Sequence, residues 1–171
     1  MRKTLSLAAF AVAASLSLGA CNQSQQPAAE QAAAEQAPAV IPVPTNATDK
    51  AAWKQYLVSV VTANMQGVKT NHPYMYFVPG GDDDAAKADR DNQLENVKTT
   101  VSRGVLPGNM MAFGGPDSAL TSQLISDAFG VASPGSFKEV VVLFIGAPGD
   151  FDAVKNAVAS SGAEARFVEA K

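Results

Sequence analysis

The chain has 171 residues, 47% of them apolar and 17% charged, with a formal charge of −3; that composition can bury a core and excludes a wholly disordered, collagen-like or coiled-coil protein. Its one cysteine excludes an intrachain disulfide and a cysteine-based zinc site, and its one histidine makes His-based metal or triad chemistry improbable. Without Arg2 and Lys3, eleven basic side chains stand against sixteen acidic ones, a balance of −5 with no basic footprint for nucleic acid.

Met1-Arg2-Lys3 makes a positive start, and a fourteen-residue apolar run follows from Leu5 to Leu18. As a helix the run spans about 21 Å, too short for a hydrocarbon core of about 30 Å, so the spacing predicts a cleaved secretory signal over residues 1–20. Leu18-Gly19-Ala20-Cys21 supplies the small-residue processing site. In charge, apolar run and terminal cysteine this segment resembles the leader and lipobox of bacterial lipoproteins. The resemblance covers the leader only. It implies cleavage before Cys21, whose thiol receives a diacylglyceryl group and which becomes the acylated N-terminus. Two or three chains would then make a stable anchor. Asn22 rather than Asp follows the cysteine, and in the resembling family an Asp there commonly retains the protein at the inner membrane. The implied address is the periplasmic face of a Gram-negative outer membrane, with the inner membrane or a Gram-positive cell surface as alternatives.

Residues 21–47 read as a flexible tether. From Asn22 to Ala47, 17 of 26 residues are Ala, Gln or Pro, aromatics are absent, and Glu30 and Glu35 are the only charges, so burial cannot offset the entropy of ordering. The pentad Ala-Ala-Glu-Gln-Ala occurs twice between Pro27 and Pro38, too short for a stable isolated helix.

A folded domain is predicted over residues 48–171. Trp53, Tyr56, Leu57, Val60, Val61 and Met65 fall at helical spacing behind a Thr48 or Asn46 cap, giving a helix over about 49–67. Tyr74 to Val78 reads as a strand stopped by Pro79-Gly80-Gly81, and 83–103 as a helix that opens on acids and closes at Arg103-Gly104. A strand over 110–113, a helix over 118–129, a strand over 140–145, a helix over 152–161 and a last strand over 165–168 complete the alternation. The uninterrupted run Val140 to Ile145 belongs in the centre of a parallel sheet, whereas Arg166 marks the last strand as an edge. The expected fold is α/β: one three-layer open sheet of about four mostly parallel strands with helices on both faces. The alternative is an α+β arrangement with one antiparallel strand.

Three strand-to-helix turns are alike: 79–83, 114–118 and 146–150, each rich in glycine, proline and aspartate. A parallel sheet gathers such turns on one edge, the edge where ligands bind in this architecture. Asp83, Asp84, Asp117, Ser118 and Asp150 are therefore the candidate ligand residues, with Mg²⁺ or Ca²⁺ as the alternative to no cofactor. The local reading outweighs this one, because glycine makes turns while Asp or Ser caps the following helix, and Asp150 is expected to be such a cap. No turn matches a phosphate loop or a dinucleotide fingerprint, and the crowd of acids there would repel an anion. Ser118 lacks a base, since His72 precedes the first strand and belongs to the opposite edge. Met65, Met75, Met110 and Met111 suit Cu(I) by ligand type, but the pattern assigns most of them to the core. No catalytic constellation is visible. The sequence thus predicts a non-enzymatic binding or assembly module of the cell envelope, anchored in the membrane by lipid and partnered by an envelope protein or cell-wall component. A small-ligand or metal-dependent, hydrolytic activity at the acidic edge is the alternative.

Overall fold

The computed structural model describes residues 39–171; the leader, Cys21 and the tether as far as Pro38 lie outside the described residues. The first helix, α1 (Lys50–Ala63), begins at Asp49, whose carboxylate accepts the Ala52 N–H at 2.9 Å. Asp49 is thus the cap, in place of Thr48 or Asn46. The Asn46 side-chain oxygen instead takes both the N–H and the hydroxyl of Thr48, turning the chain into the helix. The helix ends four residues before the expected 67. The Asn64 side chain donates to the Val60 carbonyl at 2.7 Å and occupies the acceptor of the next helical bond, so the Asn64 backbone N–H falls back on Val61. Gly67 then takes a positive φ of 75°.

The remaining elements are β1 (Tyr74–Phe77), α2 (Asp84–Arg103), β2 (Met110–Gly114), α3 (Ser118–Phe129), β3 (Val141–Gly146), a 3₁₀ turn at Pro148–Asp150, α4 (Phe151–Ala159) and β4 (Glu164–Glu169). Pro148 at the first position of that turn starts helical structure four residues before the expected 152, its fixed φ suiting a helix start. The four strands lie in the order β1-β2-β3-β4, and all three pairings are parallel. The α/β sheet is therefore the fold, and the arrangement with an antiparallel strand is overturned. A helix links each strand to the next, so every strand re-enters the sheet in the same direction.

Each crossover steps to the neighbouring strand in the same sense, and crossovers of one hand stack their helices on one face. Val97 and Val101 of α2, Leu124 and Ile125 of α3, and Val154 and Val158 of α4 form one core with Met111, Phe113, Val142 and Phe144. On the other face, among the described residues, α1 alone packs on the sheet, with Trp53, Tyr56, Leu57, Val60 and Val61 on Met110, Ala112, Val141, Leu143 and Ile145. Among the described residues helices thus cover both faces, three against one. Both interior strands, β2 and β3, are buried throughout, and β4 is an edge as expected. The packed unit also begins earlier than residue 48. Ile41 N–H donates to Ser59 Oγ at 3.2 Å, Val43 N–H to the Lys171 carbonyl at 3.2 Å, and the Trp53 indole N–H to the Asn46 carbonyl at 3.1 Å. Val43 packs on the α1 core, so the last residues assigned to the tether belong to the domain.

Candidate functional site

Because the sheet is parallel, the turns after β1, β2 and β3 do share one edge. Asp83 caps α2 by accepting the Ala86 N–H at 2.9 Å, and Asp117 caps α3 by accepting the Leu120 N–H at 2.9 Å. The Ala86 N–H, chief among several favourable contacts, holds the Asp83 carboxyl below its ordinary value. Asp84 stands exposed in the first turn of α2, where its charge complements the helix dipole. Asp150 is not a side-chain cap, contrary to expectation. Its carboxylate accepts the Ser118 hydroxyl at 2.5 Å, while Ser118 Oγ accepts the Ala147 N–H at 2.7 Å. Ser122 adds a bond from its hydroxyl to the Asp150 carbonyl at 3.2 Å. Ser118 and Asp150 thereby clasp the start of α3 to the turn before α4. That contact joins residues 32 positions apart, and no local sequence signal announces it.

The glycines of this edge serve close approach between protein segments. A Cβ on Gly115 would lie 2.0 Å from the Val78 carbonyl oxygen, one on Gly80 would meet Pro116 Cγ at 2.8 Å, and one on Gly146 would meet Ser118 Oγ at 2.6 Å. At these three positions the neighbouring turn fills the space a side chain would take, while a cavity of about 170 Å³ lined by Thr48, Lys50, Pro79, Gly80, Asp83 and Asp89 remains beside the first turn. A ligand crevice opens where successive connections leave a sheet toward opposite faces, and here the three connections all leave toward the face of α2, α3 and α4. The five candidate residues lie along one edge, but among the described residues no three His, Cys, Asp or Glu side chains are placed to share an ion. His72 is exposed at the opposite edge, before β1. Met110 and Met111 are fully buried on opposite faces, one in each core, and Met65 packs against the core that holds Met110.

A different surface carries features the sequence did not reveal. β1 is the other edge of the sheet, and Tyr-Met-Tyr-Phe contains no charge. By contrast β4 carries Glu164, Arg166 and Glu169, with ion pairs Arg166–Glu164 and Lys171–Glu169; charges of this kind discourage pairing at an edge. Val78 N–H donates to the Gly114 carbonyl, and Tyr76 sits opposite Phe113 in the ladder. Strand alternation then turns the N–H and C=O of Met75 and Phe77 outward, away from β2. On the α2 side Tyr76 stacks on Phe113 and bonds Thr100 through its hydroxyl, while Tyr74 is 43% exposed. Burial raises the Tyr76 phenol pKa. On the α1 side a groove of about 240 Å³ remains, lined by Lys54, Leu57, Val58, Met75 and Phe77. Val58 is 47% exposed and Met75 43%. At the strand's end Lys50 and Asp89 bridge α1 and α2 with an ion pair at 2.5 Å. The sequence shows Tyr74 to Val78 to be a strand, but only strand order makes it an edge. Comparison of the chain with protein-family models, with curated proteins and with solved structures finds no match in any of the three.

Proposed function

We propose that the chain is a lipid-anchored lipoprotein of the periplasmic face of the outer membrane, which acts by docking another envelope component rather than by catalysis. Support for the anchor is the leader and Cys21 at the end of Leu18-Gly19-Ala20-Cys21. The observation that carries the docking reading is the uncharged β1 edge, with its outward backbone groups beside the apolar groove of Leu57, Val58, Met75 and Phe77. An exposed apolar edge of this sort is a liability unless something pairs with it. At the acidic edge, in contrast, one carboxylate oxygen of Asp83 and one of Asp117 serve as helix caps and Asp150 accepts the Ser118 hydroxyl.

Native sizing after mild detergent extraction of the envelope tests this. The wild-type chain should migrate in a complex, Val58→Asp combined with Met75→Asp should migrate at the size of the chain in its micelle, and Asp84→Asn should leave the complex intact. Loss of the complex in Asp84→Asn with retention in the double variant would place docking at the acidic edge instead.

A further inference from the structure

Resting on the docking reading, we propose that the partner segment is an extended strand that adds beside β1 and places a carboxylate against Lys54. Met75 and Phe77 turn two N–H and two C=O groups outward, the pattern an added strand satisfies by main-chain pairing. The groove on the α1 side of this edge receives alternate side chains of the added strand, and those side chains decide specificity. Those side chains meet Leu57, Val58, Met75 and Phe77, which are apolar, and one cation.

Lys54 lines that groove and the two beside it, and among the described residues it forms no ion pair, whereas its neighbour Lys50 is held by Asp89. A carboxylate flanked by apolar residues at alternate positions complements this lining. The Lys50–Asp89 bridge stands at the Pro79 end, so the added strand enters from the Tyr74 end. A second copy of the chain fits less well. Two-fold pairing about Tyr76 would set Met75 against Phe77 of the copy, but it would also bring both Lys54 side chains to the same face near the axis, and like charges oppose such a contact.

The test uses the full chain in detergent and residue-resolved amide exchange. Two end-blocked synthetic peptides serve as probes, Thr-Val-Thr-Glu-Thr-Val and its counterpart with Lys in place of Glu. Without peptide, the Met75 and Phe77 amides should exchange fast while Tyr76 and Val78 are protected by β2. The Glu peptide at millimolar concentration should slow Met75 and Phe77 and bind about tenfold tighter than the Lys peptide. Lys54→Glu should invert the preference while leaving the exchange of β2 and β3 unchanged. Equal binding of the two peptides, or a preference that survives Lys54→Glu, overturns the carboxylate proposal while leaving docking at this edge in place. Failure of either peptide to protect Met75 and Phe77 overturns strand addition itself, and the native sizing above judges the docking reading independently.

Discussion

Asp83, Asp117 and Asp150 stand in similar turns yet have different duties. Asp83 and Asp117 cap their helices as their spacing foretells, because a cap needs only the N–H three residues on. Asp150 turns instead to Ser118, a contact that tertiary structure creates and local sequence cannot show. Ser118→Ala removes the donor to Asp150 and the acceptor for Ala147 N–H at a partly buried site, so urea titration should show a loss of about 1–2 kcal/mol. Asp150→Asn keeps an acceptor and turns a charge-assisted bond into a neutral one, and about 1 kcal/mol should be lost. A variant as stable as wild type at both positions would show the clasp to be inconsequential. For Asp83 the folded carboxyl is held below its ordinary value, chiefly by the Ala86 N–H. Its contribution is therefore present above the unfolded carboxyl's pKa and lost as pH falls through the folded one. Asp83→Asn should match wild type near pH 7, where Asn caps about as well, and show a shallower fall in urea midpoint below about pH 4.

Hydrophobic period made nearly every element legible. Trp53, Tyr56, Leu57, Val60 and Val61 at helical spacing and the apolar run of β3 report burial directly, so helix, strand and parallel class follow from them. Two things were hidden. Strand order depends on which face each crossover takes, and it alone makes β1 an edge. The domain's start depends on contacts between distant residues: Val43 looks like tether by composition, yet it bonds Lys171 and packs on the α1 core. Two truncations separate these readings. A chain beginning at Ala39 should keep the thermal and urea stability of the longer one. Beginning at Thr48 removes Val43, the Ile41 bond to Ser59 and the Asn46 acceptor of Trp53, and should cost about 2–3 kcal/mol. Equal stability of the two would return the boundary to Thr48.

At the scale of the whole molecule, the leader and Cys21 propose a place and the sheet proposes a surface. Intact-mass measurement on purified envelopes should give a chain starting at Cys21 with acyl groups attached; a chain without them would remove the anchor and the localisation together. Among the described residues three helices on one face answer α1 on the other, and β1 is left as a lateral edge of the sheet beside the Lys50–Asp89 bridge. The proposed docking runs along β1 and the neighbouring face of α1. Site-specific photo-crosslinking in living cells tests it most directly, with the photoreactive residue placed in turn at Val58, Met75, Asp84 and Asp152 of the full lipidated chain. A discrete crosslinked species is expected from Val58 and Met75 and none from Asp84 or Asp152; crosslinks from the two acidic positions alone would contradict docking along β1.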